Sequence, residues 1–200
     1  MPADPQKRRP TPYPLARPLI ADGDVLLFRR RHNLQGILIG AAGRSPYAHA
    51  ALAAWWDSCL LCLEARQFAG CRAVTLSSQV SDHPGRIDVY RIDSARWPEY
   101  RQQKAVDLMR RLCGKPYGWF ALFAASLRHL PILRFFVRPE LNGRALDRPP
   151  YCSMAVAHAM RAAGVDPVPN LSDRLTEPGD LARSAVLRYL FTLEAPPCAA

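Results

Sequence analysis

The sequence predicts an α+β fold in a single domain, on three observations. Its 200 residues are about half apolar, enough for one sizeable core. Short apolar runs at 25–28, 48–54, 59–65, 73–76 and 86–92 have strand length and are bounded by turn residues. Between and after them lie apolar patterns at helical spacing, and Gly43, Gly114 and Gly164 stand where such helices would stop. Strands that pair locally, with helices following them, place the chain among sheets packed against helices.

Taken in order, residues 1–21 are rich in proline and weak in periodicity, which predicts an extended, partly ordered arm. The domain is expected over 22–193, with a tail at 194–200. Gly23-Asp24 is a turn signal, and Val25-Leu26-Leu27-Phe28 reads as a strand that the arginines end. Leu34, Ile37, Leu38 and Ala41 fall at helical spacing. The runs 48–54 and 59–65 flank Trp55-Trp56-Asp57-Ser58 and read as a hairpin. A turn centred between Trp56 and Asp57 sets Glu64 directly opposite His49, and a slip of one residue would send the two to opposite faces. Strands at 73–76 and 86–92 extend the sheet. Pro98 is expected to open a helix through Val106, Met109 and Leu112, a second apolar helix is expected over 119–129, and both would cover one sheet face. After Pro149-Pro150, residues 151–163 form a helix, and a last short one starts at Pro178.

The formal charge of +10 is mostly arginine spread along the chain, which reads as a solvated surface able to meet anionic partners. No recognition helix, stacking motif or zinc spacing accompanies it, so nucleic acid is not an expected partner. The start of the chain lacks the apolar stretch of a secretory signal, which sets a cytoplasmic expectation unless another export route acts. The apolar stretch 119–137 is interrupted by Arg128, His129, Pro131 and Arg134, so no transmembrane segment is expected, and core packing is the simpler use for it. Six cysteines without an export signal read as reduced thiols. Cys59 and Cys62, three apart in a strand, face opposite ways and make poor co-ligands of a metal.

Three residues carry chemistry. Cys152 falls in the first turn of its helix, where unpaired N–H groups and the helix dipole favour a thiolate; the bland alternative is a small apolar residue sealing the helix start. His49 sits among small residues in Ala48-His49-Ala50-Ala51-Leu52, where another element can approach, although a lone histidine there also suits a satisfied core position. Glu64 is a carboxylate in an apolar strand, costly to bury unless paired. Together they supply a nucleophile, a base and a group to orient the base, the set that thiol acyl transfer needs. The N–H of Cys152 is the natural oxyanion donor; Tyr47 and Tyr151 are candidates for a second by proximity in sequence.

The segments GDVLLF (23–28), SPYAHAAL (45–52), LEA (63–65), YCSMAVAHAMRAAG (151–164) and TEPGDLARS (176–184) resemble, as an ordered set, the YiiX-like branch of the NlpC-type cysteine hydrolases. The resemblance runs from about Gly23 to Leu193. It implies a circularly permuted papain-like fold, with an antiparallel sheet or barrel packed against helices and with the histidine strand ahead of the nucleophile helix. The order His49, Glu64, Cys152 agrees. The implied activity is cleavage of an amide, peptide or acyl-amide, through a thioacyl intermediate: Cys152 attacks, His49 is the base, Glu64 orients it, and no metal or organic cofactor takes part. This chain departs from the family at Met154, where an acidic residue is common, and at Gly118, where an aspartate often follows the tyrosine. Both departures bear on substrate. A lipid-directed ester hydrolase or acyltransferase on the same triad, and a silent binding module, are the alternatives. The expected partners are a small peptide, acyl-amide or lipid substrate and an anionic surface.

Overall fold

A computed structural model describes residues 9–30, 45–118 and 149–195. The helix expected at 34–41 and the apolar segment 119–137 lie outside these residues.

Among the described residues seven strands form one sheet, in the order β1-β7-β6-β2-β3-β4-β5. They are β1 (Pro10–Pro12), β2 (Val25–Arg29), β3 (Tyr47–Trp56), β4 (Cys59–Arg66), β5 (Gly70–Thr75), β6 (Ile87–Ile92) and β7 (Leu187–Glu194). All neighbours are antiparallel except β1 with β7. The sheet is open, so of the two forms expected, sheet or barrel, it is the sheet. Closure would require β1 to pair with β5, yet β1 is three residues long and two of them are prolines, which have no N–H to give.

Helices cover both faces. On one lie α1 (Tyr13–Ala16) and α2 (Leu76–Asp82), burying Ala16, Leu76 and Val80 against Leu26, Phe28, Ala51, Ala53 and Cys62. On the other lie α3 (Gln102–Leu112), α4 (Cys152–Ala162) and α5 (Pro178–Arg183), against Val25, Leu27, Ala50, Leu52, Ala54 and Leu63. Strands buried on both faces lose the alternation of polar and apolar residues, which is why β2 and β3 read as unbroken apolar runs. β3 from Ala50 to Ala54 is fully buried, and all but Leu52 are alanine. Alanine adds little burial energy; what it contributes is room, and on α4 Ala155 and Ala159, one turn apart, belong to the same core cluster as Ala50 and Ala54. The two small-residue surfaces let α4 lie close on the sheet.

Three local expectations change. The proline-rich segment expected as an arm is built into the fold at residues 10–20: β1 pairs with β7, and Ala16 and Ile20 are buried. Pro98 precedes rather than opens its helix, which starts at Gln102. In the β3–β4 hairpin the turn residues are Asp57 and Ser58, with Asp57 in the left-handed region at φ 48°, so Trp56 pairs with Cys59 and Glu64 pairs with Ala51 rather than His49. The register differs from the expected one by two residues. Two is a full side-chain period, so His49 and Glu64 keep the same face and become diagonal neighbours.

Candidate active site

β3 is bulged at its start. Phe28 pairs with His49 and Arg29 with Tyr47, so Ala48 is the extra residue. The bulge turns Tyr47 to the opposite face from His49. There its hydroxyl donates to Asp88 Oδ2 at 2.5 Å and meets the Tyr90 hydroxyl at 2.9 Å, while Arg29 also holds Asp88. His49 stays beside Phe28, with ring centres 5.0 Å apart.

β3 and β4 then part. Their pairing stops at Ala51–Glu64, whereas β4 continues to pair with β5 as far as Arg66. Ala53 turns both its backbone groups toward β2, bonding Asp24 and Gly23, so by alternation the Ala50 N–H points to the side that β4 has vacated. That N–H bonds the Cys152 sulfur. Cys152 is the first residue of α4, whose N-cap, Tyr151, supplies no side-chain cap, and the Ser153 N–H also bonds the sulfur. The helix start is pinned from behind by Tyr151 and Ser153. The Tyr151 hydroxyl donates to the carbonyls of Arg174 and Thr176 at 2.8 and 3.0 Å, and the Ser153 hydroxyl donates to Thr176 at 2.7 Å. Gly179 of α5 closes the other flank: a Cβ there would lie 2.5 Å from Ser45 Cβ, just ahead of β3.

His49 joins the two halves. Its Nε2 lies 2.6 Å from Glu64 Oε2, and its side chain also hydrogen-bonds Cys152. With Nε2 committed to the carboxylate, Nδ1 is the nitrogen left for the sulfur. Glu64 is 1% exposed and accepts two further bonds at Oε1 from Arg72, at 2.9 and 2.7 Å. The sequence-predicted residues Cys152, His49 and Glu64 are thus one hydrogen-bonded row.

The electrostatics follow from that row. Burial alone would raise the Glu64 carboxyl, but the bonds and charges of His49, Arg72 and Arg66 outweigh it and hold the group at about 2. Burial alone would lower His49, but its bonds to Cys152 and Glu64 raise it to about 9. For Cys152 burial pushes upward, yet His49 and the N–H groups of Ala50 and Ser153 bring the thiol below its ordinary value. Burial drives Cys62, Cys71 and Cys113 the other way. The geometry favours the thiolate and the imidazolium together over the neutral pair.

Stability should carry the signature of the same pair. A carboxyl depressed from 4.5 to about 2 contributes stability that is complete above about pH 4.5 and is lost as the pH falls toward 2. An imidazole raised from 6.5 to about 9 contributes stability that is complete below about pH 6.5 and is lost as the pH rises through 9. These are two ends of one interaction and do not add. The difference in urea midpoint between the wild type and Glu64→Gln is therefore expected to be widest from about pH 4.5 to 6.5 and to narrow on both sides; an equal difference at pH 3, 5.5 and 9.5 would contradict it.

A fourth group was not among the sequence candidates. The Tyr117 hydroxyl hydrogen-bonds the Cys152 side chain, the Cys152 backbone N–H and the Gln67 side chain. Burial first, and then the charge of the sulfur, push this phenol far above its usual range, so it stays a neutral O–H. Tyr47 and Tyr151, the candidates by proximity, have hydroxyls committed to Asp88 and to the 174–176 backbone. Tyr117 arrives on a segment that runs along β5, with the Cys71 N–H bonded to Lys115 and the Gly114 N–H bonded to Cys71. The segment then passes the approach to Cys152, where the Gly118 N–H bonds Pro150 at 3.0 Å. A Cβ on Gly118 would stand 2.1 Å from the Pro149 carbonyl oxygen and 2.9 Å from the Pro150 carbonyl carbon. Both obstacles are backbone, so there is no side chain to swing away. Gly118→Ala is expected to cost about 3 kcal/mol, read as a fall in Tm of roughly 6–12 °C. The aspartate that the family resemblance leads one to expect here has no room.

Among the described residues no group of three or more His, Cys, Asp or Glu side chains is placed to hold a metal ion, and no helix is long and apolar enough to cross a membrane.

A family model described as permuted papain-like amidase enzyme, YaeF/YiiX, C92 family, matches residues 19–123, a span that holds His49, Glu64 and Tyr117 and ends before Cys152. A solved structure titled as the metalloprotein yiiX from Escherichia coli O157:H7 superposes with a TM-score of 0.59 at 18% identity, covering 88% of this chain and 99% of that one. At that identity the likeness is one of fold. No curated protein matches the sequence.

Proposed function

Because the chain belongs to the YaeF/YiiX (C92) family of permuted papain-like amidases, a cysteine peptidase and amidase family, we propose that it hydrolyses an amide bond, of a peptide or an acyl-amide, with Cys152, His49 and Glu64 as its triad. The observation that carries the residue assignment is the placement of His49, hydrogen-bonded to Glu64 Oε2 at 2.6 Å on one side and to Cys152 on the other.

In this reading the Cys152 thiolate attacks the amide carbonyl carbon, and the carbonyl electron pair moves onto oxygen. The oxyanion forms beside the Cys152 N–H and the Tyr117 hydroxyl, which exchange their bonds with each other and with the sulfur for bonds to it. Collapse of the tetrahedral intermediate breaks the C–N bond, and the amine leaves with the proton held on His49 Nδ1. The neutral imidazole then takes a proton from water, the resulting hydroxide attacks the thioester, and the acid departs as the thiolate re-forms beside the imidazolium. Glu64 keeps the ring oriented and stabilises its charge throughout.

The test is a screen of N-acyl amino acids, short peptides and the matching esters, read by mass spectrometry of both the products and the protein. Amide cleavage that vanishes in Cys152→Ala, with an acyl adduct on Cys152 at short times, supports the reading. Turnover of esters alone would move the activity to the lipid-directed alternative. Amide turnover that survives Cys152→Ala would end the assignment.

A further inference from the structure

Glu64 is the centre of more charge than an orienting carboxylate requires. From β3 it meets His49, from β5 Arg72, and on β4 itself Arg66, whose Nη1 lies 3.7 Å from Oε2 and 3.3 Å from the Gln79 side chain of α2. Cys62 is the other titratable neighbour on β4, and Cys152 lies beyond the His49 ring. Arg72 is the directly paired cross-strand residue of Glu64. Its Nε and Nη2 both converge on Oε1, so that oxygen is filled and Oε2 is left for His49. The carboxylate is buried while the Arg72 side chain remains 35% exposed, so the charge that holds Glu64 in place is supplied from the edge strand β5. An exposed arginine–glutamate pair contributes little to stability, but here one member is buried and shared with the base.

We propose that Arg72 is a positioning residue of the active site: by occupying Oε1 it fixes the Glu64 carboxylate, keeps it ionised in acid, and presents Oε2 to His49. This rests on the triad reading above and extends it to a residue that touches neither substrate nor sulfur. Without Arg72 a buried carboxylate keeps only His49 and the more distant Arg66. It then takes up a proton at a higher pH, and once neutral it no longer holds the imidazolium that stabilises the Cys152 thiolate. The acid limit of thiolate formation therefore moves up.

The experiment is the pH profile of Cys152 alkylation by iodoacetamide, read by peptide mass spectrometry, in the wild type, Arg72→Gln and Arg72→Lys, each also combined with His49→Ala, with thermal melts as a check on folding. Arg72→Gln is expected to shift the acid limb upward by about one pH unit or more. Arg72→Lys, with one ammonium in place of two converging N–H groups, is expected to fall between Arg72→Gln and the wild type. In the His49→Ala background neither substitution should change the profile further. An acid limb unmoved in Arg72→Gln, or a shift of equal size without His49, would overturn the proposal. If Arg72→Gln does not fold, Arg72→Lys decides: an upward shift supports the role and a profile coincident with the wild type removes it. Failure of the triad reading looks different, because the wild type itself would then label like an ordinary thiol and His49→Ala would change nothing.

Discussion

Replacing His49 with alanine should lower the alkylation rate of Cys152 at pH 6.5 by about a hundredfold or more, and amide turnover by about 10⁴-fold. The two figures have separate origins. In the wild type His49, with the N–H groups of Ala50 and Ser153, outweighs the burial that would otherwise raise the thiol, so the sulfur ionises below its ordinary value. Without the imidazole the sulfur keeps the N–H groups of Ala50 and Ser153 and the Tyr117 hydroxyl against that burial, and a thiol at or above about 8.5 is about 1% ionised or less at pH 6.5. Turnover falls further because the leaving amine also loses its proton donor. Alkylation profiles and initial rates on the same preparations check both. A His49→Ala protein that labels as fast as the wild type would show that the helix start alone activates the sulfur, and His49 would lose its place in the site.

Tyr117→Phe is the complementary case. It removes one hydroxyl and leaves a ring of nearly the same shape, so the segment that carries it should keep its packing. A hydroxyl that donates to the developing oxyanion is needed in the transition state more than in the ground state. Its loss is expected to reduce kcat by about 10²- to 10³-fold with little change in KM. Alkylation by iodoacetamide forms no oxyanion and loses only the bond from the hydroxyl to the sulfur, so labelling of Cys152 should fall by about tenfold at most, against the hundredfold expected for His49→Ala. Turnover spared in Tyr117→Phe would return the second donor to a backbone group. Labelling and turnover lost together would mean that Tyr117 holds the sulfur rather than the oxyanion.

How much of this could be read from the chain depended on whether a signal was local. Cys152 was marked by its place at a helix start, and Glu64 by being a carboxylate in an apolar strand. His49 gained meaning only from the hairpin that brings Glu64 to its face. The hairpin register was off by two residues because Asp57 adopts a left-handed conformation that its residue type permits but does not announce. α2 carried a local signal that the strand reading absorbed: Thr75 accepts from the Ser78 N–H as an N-cap, and Leu76, Gln79 and Val80 follow at helical spacing. Tyr117 had no such signal. It lies in Lys115-Pro116-Tyr117-Gly118, outside any helix or strand, and it reaches Cys152 only because Gly114 and Lys115 bond along β5 and Gly118 fits against Pro149-Pro150. A donor delivered by a distant connection leaves no mark in the chain near Cys152 or His49.

The prolines of β1 have a bearing on how copies of this protein meet. The outer side of β7 is a row of backbone donors and acceptors, with the Thr192 N–H bonded to the Arg9 carbonyl at 2.9 Å and Pro10 and Pro12 set against Thr192 and Glu194. A sheet margin made of proline offers few N–H groups to a further strand, so it ends the ladder there instead of serving as a template for the next molecule. With Arg9 to Pro12 removed, the margin becomes β7, a strand of ordinary residues with its N–H groups bare. The segment whose composition predicts a loose arm thus closes this margin of the sheet.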